Sequence, residues 1–395
     1  MLLALPGAVL ASLGLYLVTL AGASFGYRPS PVSRSRASRL RLAVVVPAHD
    51  EELLVARCVQ SLFNQDYPAD RFRVVVVSDN SSDSTASIAR SAGAEVMVRD
   101  QPDARGKGHA LRWATDRLLA ETEPPDAIVI VDADSVADPL LLAGLAAELE
   151  AGHEVVQADY TLLEESGPVI SEMARAGFLL FHRVRFLGRA RLGMAANLVG
   201  NGMLFSRRVL DAHPWTAFTG VEDLEQSIHL RLAGIRPRFA PAAHVAGPGP
   251  ASGAGALRQR LRWEGGRFHV VRRQLVFLIR TAVVRRDPRL LDAAIDLATP
   301  PLALLSLSVT AGALLSATSA AAGLVPWWAA APWAIAVVAI PLFVVIGLWS
   351  AGAPAKTWRI LLGGPMFMGW KLVTYLRLLR GHDVRRWDRT DRVAS

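Results

Sequence analysis

The feature that most constrains the fold is an alternation of strand-like and helix-like segments within residues 42–131. Four apolar runs rich in β-branched residues are predicted to be strands, at residues 42–46, 72–77, 95–98 and 127–131. The stretches between them are predicted to contain helices that end near residues 64, 92 and 120. Because strands and helices alternate, the chain is expected to form a parallel sheet covered by helices on both faces.

Acidic side chains follow three of these strands. Asp50 comes after the first, Asp79 after the second, and Asp132 and Asp134 after the fourth. Since the carboxyl ends of parallel strands meet at one edge of a sheet, these acids are expected to line one crevice. Asp132 and Asp134 can face one point and hold a divalent cation, which can itself hold a pyrophosphate. A solvated turn after the strand is the ordinary alternative for this pair.

Two neighbouring groups are open to similar pairs of interpretations. Asp79 with Asn80 could bind a base and its ribose, but an Asx turn capping the next helix explains them equally well. Lys107 lies between two glycines at a predicted helix start, which suits either a phosphate contact or an ordinary loop.

Two further motifs follow a predicted strand at residues 154–160. Gly200-Asn201-Gly202 precedes another predicted strand, and there the backbone either approaches a ligand closely or only turns. Glu222 and Asp223 lie at a predicted helix start. One of these carboxylates could act as a general base, although a helix N-terminus also favours acids for its own stability.

Two basic segments are expected to be helical. Residues 171–194 interleave apolar side chains with arginines and could lie at a membrane interface or pack on the sheet. Gln259, Arg262 and Trp263 belong to a basic stretch expected to lie on lipid headgroups. There Arg262 could hold a phosphate and Trp263 could stack on a sugar ring.

Apolar segments at both ends of the chain predict membrane-spanning helices. Residues 1–25 are free of charge and are expected to form an anchor rather than a cleaved signal peptide. Residues 297–324 and 325–349 are expected to form two more spans. Residues 360–379 contain charges, so an interfacial or re-entrant helix is expected there, with a third C-terminal span as the alternative.

The arginine-rich linker and tail are expected to be cytoplasmic by the positive-inside rule, which places the N-terminus outside. The chain is thus predicted to contain six parts. They are a transmembrane helix (1–25), a basic linker (26–41), a cytoplasmic α/β domain (42–255), amphipathic interfacial helices (256–296), two transmembrane helices (297–350), and an interfacial or third membrane helix with a basic tail (351–395).

Composition favours a membrane partner over nucleic acid. The chain is 52% hydrophobic, and its net charge of +8 comes from arginine, since only three of its 43 basic residues are lysine. This charge flanks apolar segments and lacks a basic-aromatic platform, so an anionic membrane surface is the expected partner. The single cysteine, Cys58, excludes an intramolecular disulfide and a cysteine-based metal site, and fits a reducing compartment.

Taken together and in order, these motifs resemble those of the membrane-embedded family 2 glycosyltransferases. That group includes the cellulose, chitin, hyaluronan and poly-N-acetylglucosamine synthases and the ceramide glucosyltransferases. The matching motifs are Pro47-Ala48-His49-Asp50-Glu51-Glu52, Asp79, Asp132-Ala133-Asp134, Glu222-Asp223 and Gln259-x-x-Arg262-Trp263. The resemblance implies a GT-A (Rossmann-like) fold, a nucleotide-sugar donor (expected to be a UDP-sugar), Mg²⁺ or Mn²⁺ as cofactor, and inversion at the anomeric carbon.

The resemblance also implies roles for individual residues. Asp223, with Glu222 beside it, matches the catalytic base, and Asp134 with Asp132 would ligate the metal. The expected donor-binding residues are Pro47, Asp50, Glu52, Asp79, Lys107 and Asp132. The expected acceptor and pyrophosphate residues are Gln259, Arg262, Trp263, Gly200, Asn201 and Gly202.

Two acceptors are considered. The Gln259-x-x-Arg262-Trp263 motif favours a growing β-linked polysaccharide at the cytoplasmic membrane face. The small number of spans and the 171–194 helix favour a single transfer to a membrane lipid, and ceramide glucosyltransferases carry a similar tryptophan motif. So few spans also argue against a channel, formed by the protein itself, through which a polysaccharide would leave the cell. The identity of a possible export partner is not predicted. A non-catalytic nucleotide-binding or scaffold protein of the membrane is disfavoured by the intact set of Asp132, Asp134, Asp223 and Trp263.

Overall fold

The computed structural model describes residues 3–27, 38–163, 169–249 and 254–379, and eight of its strands form one mixed sheet. The predicted linker at residues 28–37 and the predicted tail from residue 380 lie outside the described residues. The strands are β1 (Leu42–Ala48), β2 (Phe72–Asp79), β3 (Glu95–Arg99), β4 (Ala127–Ile130), β5 (Val136–Ala137), β6 (Val155–Leu162), β7 (Met203–Ser206) and β8 (Arg238–Gly247).

The chain divides into two units. The sheet unit comprises the described residues of 38–163 and 195–270, and the helical unit comprises those of 3–27, 169–194 and 271–379. The α-helices are α1 (Ala4–Ser24), α2 (Val55–Phe63), α3 (Thr85–Ser91), α4 (Lys107–Leu119), α5 (Leu141–Glu150), α6 (Val169–Phe178), α7 (Arg185–Arg191), α8 (Arg207–Ala212), α9 (Glu222–Leu232), α10 (Ala254–Arg285), α11 (Pro288–Ala298), α12 (Leu302–Ala321), α13 (Ala331–Ser350), α14 (Ala355–Ile360) and α15 (Gly364–Leu379).

The strand order is β3-β2-β1-β4-β7-β6-β8-β5. The first four strands in sequence, β1 to β4, pair in parallel, as their alternation with helices predicts. β7 is antiparallel to both β4 and β6, and β5 is antiparallel to β8. β6 and β8 pair in parallel. The prediction of a parallel sheet therefore holds for β1 to β4 and for the β6–β8 pair, whereas β5 and β7 run antiparallel to their neighbours. The alternation that predicts parallel pairing stops after β4, and nothing local in the sequence fixes the direction of β7.

Both faces of the central strands are buried. On one face Val44 and Val129 belong to a core shared with α2 and α5, and on the other Val45 and Ile128 belong to a core shared with α4 and α8. Each fully buried aliphatic side chain stabilises the fold by about 1.5–3 kcal/mol. Burial on both faces explains why these strands are continuously apolar rather than alternating.

The helical unit contains the predicted apolar helices. Three segments of the described chain are long and apolar enough to cross a membrane, namely Ala4–Ser24, Leu302–Ala321 and Trp327–Ser350. The last of these combines a 3-10 turn at Trp327–Ala330 with α13. The boundaries of the six predicted parts, and the placement of residues 360–379 in or on a membrane, stay predictions.

The segment predicted to be helical at residues 171–194 forms α6, a π-helical stretch (Leu179–Val184) and α7. Leu180 and Val184 share a buried core with Leu17 of α1 and Phe343 of α13. A Cβ added to Gly188 would lie 2.1 Å from the carbonyl oxygen of Leu20, so α7 and α1 touch through their backbones. These contacts make the segment part of the helical unit, and its position relative to a membrane stays a prediction.

Within the helical unit, α1, α7 and α11 share a buried cluster of charged groups. Arg185 forms an ion pair with Asp296, and both side chains are 1% exposed. Arg189 is fully buried and contacts Asp292 at 2.5 Å and Asp296 at 3.2 Å. Tyr16 accepts a hydrogen bond from Arg189 and donates one to Asp292 at 3.3 Å. Two arginines face two aspartates, so the buried charges balance, which such a site requires.

Candidate active site

The carboxyl ends of β1, β2 and β4 meet at one edge of the sheet. Pro47 lies in β1 opposite Val77, and Asp50 follows the strand with a φ of 53°. The Asp50 carboxylate accepts a hydrogen bond from the Ser82 backbone N–H at 2.7 Å, and Glu52 accepts one from Ser84 N–H at 3.1 Å. These two acids therefore connect the β1–α2 loop to the β2–α3 loop and set the shape of this edge.

Asp79, at the end of β2, is fully buried and forms an ion pair with Arg99 of β3. Arg99 also donates to the carbonyl oxygen of Ala104 at 2.7 Å and to Gln101 Oε1 at 2.9 Å. Burial raises the pKa of Asp79, and Arg99 opposes that shift. Asn80 donates to Asp79 Oδ1 at 2.8 Å and accepts from the Gln101 backbone N–H at 2.8 Å. Asp79 and Asn80 thus organise the β2 and β3 ends.

The centre of the edge is occupied by Lys107, the first residue of α4. Its Nζ donates to the Asp132 carboxylate and, at 2.5 Å, to the carbonyl oxygen of Gly200, and it lies 3.9 Å from Glu222 Oε1. A Cβ built on Gly200 would lie 3.3 Å from Asp223 Oδ2 and 3.5 Å from Lys107 Nζ. Residues from four separate parts of the sequence therefore meet within a few ångströms of one another.

The Gly200-Asn201-Gly202 segment fixes the turn that carries Asp132. Asn201 is fully buried; its Oδ1 accepts from the Asp132 backbone N–H at 3.2 Å and its Nδ2 donates to Ser135 Oγ at 2.8 Å. Gly202 has a φ of +66°, and a Cβ there would lie 2.7 Å from Ala158 Cβ. Only glycine fits at such a position. The segment therefore lines the site at Gly200 and also holds the Asp132 turn in place through Asn201.

The acidic pair at the start of α9 lies beside Lys107, with Glu222 buried and Asp223 partly exposed. Burial raises the pKa of Glu222 to about 7, with Lys107 opposing and Asp223 adding to the shift. Burial also raises the pKa of Asp223, against the hydrogen bond that its Oδ1 accepts from the Leu224 N–H at 2.8 Å. Burial alone would lower the pKa of Lys107, but Asp132 and Glu222 raise it. The pair can therefore hold a proton near neutral pH while Lys107 stays charged.

Asp132 and Asp134 fit a hard divalent cation. Both are partly exposed, the buried Ala133 lies between them, and Ser135 Oγ donates to Asp134 Oδ1 at 3.2 Å. The described residues contain no group of three or more His, Cys, Asp or Glu side chains placed to hold a metal ion. Two carboxylates suit Mg²⁺ or Mn²⁺ when phosphate oxygens and water complete the coordination.

The helix α10 carries the predicted Gln259-x-x-Arg262-Trp263 motif. The side chains of Gln259 and Arg262 lie outside the described residues, and Trp263 is 39% exposed. One turn further along, a Cβ added to Gly266 would lie 2.9 Å from Val221 Cγ1. This part of α10 therefore packs against the residue that immediately precedes the Glu222–Asp223 pair.

A comparison with protein families decides the class. A family described as "Glycosyltransferase like family 2" matches residues 39–266, which is more than half of the chain. The chain belongs to this family. The matched residues run from just before β1 to the part of α10 that touches Val221, so they include the described part of the candidate active site.

Curated relatives are glycosyltransferases as well. The "Probable glycosyltransferase YdaM" of Bacillus subtilis (strain 168) is 27% identical over 261 residues, 64% of this chain and 60% of the relative. The "Beta-monoglucosyldiacylglycerol synthase" of Trichormus variabilis is 29% identical over 237 residues, 57% of this chain and 48% of the relative. This glycosyltransferase thus spans about half to three-fifths of the length of these relatives.

Among solved structures, a mannosyltransferase from Pyrobaculum calidifontis in complex with GDP-Man and Mn²⁺ is similar with a TM-score of 0.50 and 21% identity. The match covers 86% of this chain and 99% of that one. The likeness concerns the fold, and it confirms the GT-A architecture expected for this glycosyltransferase.

Replacing Gly200 with alanine is expected to lower kcat/KM of this glycosyltransferase by about tenfold. Gly200 has a φ of +83°, and the new methyl group would press against Asp223 Oδ2 at 3.3 Å. Backbone strain of this kind costs on the order of 1–2 kcal/mol, enough for a tenfold change in rate if it displaces Asp223. Gly234 has the same φ of +83° with nothing near its Cβ position, so Gly234→Ala is the matched control. Steady-state kinetics should separate the two; equal losses in both variants would contradict a local effect on the site.

Some residues of this edge were not found from the sequence. Arg99 lies directly opposite Asp79 in the parallel β2–β3 pair, a relation that requires the strand register. His109 of α4 stacks on Phe218 with ring centroids 4.3 Å apart and an interplanar angle of 7°. The only hint of this contact in the sequence is the glycine at position 108. In the structure a Cβ there would lie 2.1 Å from a backbone oxygen of the loop before α9, so the loop can approach α4 only if this residue is glycine. These contacts hold that loop, and hence the acidic pair, against the start of α4.

Proposed function

We propose that the protein transfers a single sugar from a UDP-sugar, with inversion, to a lipid acceptor at the cytoplasmic face of a membrane. The observation that carries sugar transfer is the convergence of Lys107, Asp132 and the Glu222–Asp223 pair at the carboxyl edge of the sheet. A lipid acceptor is supported by relatives named β-monoglucosyldiacylglycerol synthase and by the three candidate spans.

In this proposal the donor lies along the edge formed by β1, β2 and β4. Asp79 and Asp50 stand at the nucleoside end, where Pro47 and Glu52 shape the loops around them. Lys107 provides a compact positive charge for the diphosphate. Asp132 and Asp134 hold Mg²⁺ or Mn²⁺, which would offset the negative charge that develops on the leaving diphosphate. Asn201 keeps Asp132 oriented through the hydrogen bond to its backbone N–H.

Asp223 acts as the general base. It takes the proton from the acceptor hydroxyl as that oxygen attacks the anomeric carbon, so an α-linked donor gives a β-linked product. Its position beside Gly200 and Lys107 supports this role, since the base has to lie near the carbon that is attacked. Glu222, at the same helix start, tunes the charge that Asp223 carries.

A growing polysaccharide is the second candidate acceptor. It is supported by Trp263, which is 39% exposed on a helix that packs against the residue before Glu222. An exposed indole at that place could stack on the terminal sugar of a chain. Gln259 and Arg262 belong to the same proposed acceptor and pyrophosphate subsite, and an export partner would be needed only for this acceptor.

The deciding experiment uses purified full-length protein in lipid with Mn²⁺ and a panel of radiolabelled UDP-sugars. Products are separated into an organic-extractable fraction and a polymer fraction. Label in an extractable glycolipid supports the proposed lipid acceptor and names the sugar. Label in a long, glycosidase-sensitive polymer would replace it with the polysaccharide. GDP-sugars extend the panel, and no transfer from any donor to either fraction would contradict the proposed function.

Transfer is expected to increase with pH across neutrality. Burial raises the pKa of Glu222 to about 7, so above that pH Glu222 carries a negative charge beside Asp223, and this charge makes Asp223 a stronger base. Glu222→Gln removes this titration and should flatten the rise in kcat/KM. Identical pH profiles for the two proteins would contradict the assignment.

The raised pKa of Glu222 is expected to affect stability in the opposite direction, so that the free energy of unfolding decreases as the pH rises. The folded state binds the extra proton, so the contribution of Glu222 to the free energy of unfolding is largest below its ordinary pKa of 4.5. It is lost as the pH rises through about 7. Unfolding curves of the wild-type protein and Glu222→Gln, compared at several pH values, would measure that loss.

A further inference from the structure

Lys107 is placed where it contacts a carboxylate proposed to bind the divalent cation. Its Nζ donates to Asp132, and its side chain is only 17% exposed. The same ammonium is held by the carbonyl oxygen of Gly200 at 2.5 Å and faces Glu222 Oε1 at 3.9 Å. It is also the only lysine of the sheet unit, since the other two are Lys356 and Lys371.

An ammonium group and a divalent cation cannot both bind the Asp132 carboxylate at full strength. Each draws on the same oxygen electron density, and two positive charges within a few ångströms repel each other strongly in a partly buried site. As long as Lys107 is bonded to Asp132, the affinity of this edge for a cation is reduced.

A diphosphate would change this balance. Lysine carries its charge on a flexible four-carbon chain, and phosphate oxygens are strong acceptors for it. Nζ can exchange Asp132 for a phosphate oxygen by rotation of its own side chain, while α4 and the Gly200 turn stay in place. The exchange leaves Asp132 available to the cation.

We propose that Lys107 competes with the divalent cation for Asp132 and is drawn away by the diphosphate of the donor, so that cation and nucleotide bind cooperatively. The proposal rests on the proposed function, in which Asp132 and Asp134 are the cation ligands. Linkage requires that nucleotide strengthens cation binding by the same factor as cation strengthens nucleotide binding. Part of any such factor comes from phosphate oxygens that ligate the cation directly; the remainder comes from Lys107.

The part due to Lys107 can be isolated by measuring the cation without nucleotide. Mn²⁺ binding to full-length protein in uncharged detergent is followed by the electron paramagnetic resonance signal of free Mn²⁺, with and without UDP. Lys107→Met removes the charge, and Lys107→Gln removes it while keeping a hydrogen-bond donor toward Gly200 if methionine is not tolerated. Lys107→Arg keeps the charge. Arg112→Met is the matched control, because Arg112 lies on α4 and pairs with Asp116 at 2.6 Å.

We expect the two neutral variants to bind Mn²⁺ alone about tenfold more tightly than the wild-type protein, a factor within the usual range of coupling between sites. The strengthening by UDP should shrink in the same variants, whereas Lys107→Arg and Arg112→Met should resemble the wild type. If the neutral variants bind Mn²⁺ alone no more tightly while UDP still strengthens binding, the competition is refuted and the proposed function stands. If the wild-type protein binds no more Mn²⁺ than Asp134→Asn, even with UDP or GDP, the proposed cation site itself is refuted.

Discussion

Asp223→Asn is expected to lower the rate of sugar transfer by about 10²- to 10⁴-fold, the usual contribution of a general base. Asparagine has the same shape and can still accept the hydrogen bond from the Leu224 N–H through its Oδ1. It cannot take a proton from an acceptor hydroxyl. Donor affinity should therefore change little, because the proposed donor-binding groups lie in or just after β1, β2 and β4 and at the start of α4. Turnover and UDP binding, measured on the same preparation, test both halves of this expectation.

The matched control for that variant is Glu225→Gln. Glu225 lies in the first turn of the same helix but accepts its hydrogen bond from Thr219 Oγ1 at 3.0 Å, so its replacement should leave transfer almost unchanged. Near-wild-type turnover in Asp223→Asn would show that another group is the base, and Glu222 would be the first to examine.

Arg189→Met is expected to destabilise the helical unit by about 3–5 kcal/mol, the usual cost of removing one partner from a buried ion pair. Arg189 is fully buried, and its loss would leave Asp292 and Asp296 with Arg185 as the one remaining cation of the cluster. One carboxylate would then be buried without its counter-ion. The free energy of unfolding in a constant detergent or lipid background measures the effect.

Arg191→Met is the control for this second prediction, since Arg191 is an exposed residue at the end of α7. Adding Asp292→Asn to Arg189→Met restores the balance of charge and should recover part of the lost stability. The interpretation would be wrong if Arg189→Met and Arg191→Met unfolded under the same conditions.

The fold of the first four strands was predictable because local sequence and tertiary position agree there. Strands buried on both faces need continuous apolar runs, and the helices between them force parallel pairing, so Asp50, Asp79 and Asp132 had to reach one edge. The family and the GT-A fold followed from the motifs at that edge. Glycines with a positive φ, such as Gly200, were also visible in the sequence as turn signals, although their contact with Asp223 was not.

Other parts of the site depend on pairings that no local pattern encodes. The direction of β7 could not be predicted from its four residues. Because β7 runs antiparallel to β4, its first residue lies next to the carboxyl end of β4, and the Gly200-Asn201-Gly202 segment before it therefore reaches the site. Arg99 could be matched with Asp79 only from the strand register. For the segment that contains Arg185 and Arg189, the sequence left open a membrane interface or packing on the sheet. The buried ion pairs could not be foreseen, because the acidic partners lie about a hundred residues further along the chain.

The buried charges of the helical unit also impose an order on assembly during synthesis. Tyr16 is made 173 residues before Arg189, and Arg189 is made 103 residues before Asp292. Until α11 has left the ribosome, α7 cannot bury its arginines without leaving them uncompensated, a costly state. Residues 195–270 of the sheet unit are translated in that interval, and domains tend to fold as units as they emerge. Closure of the helical unit is thus a late event, which follows the synthesis of the whole described sheet unit.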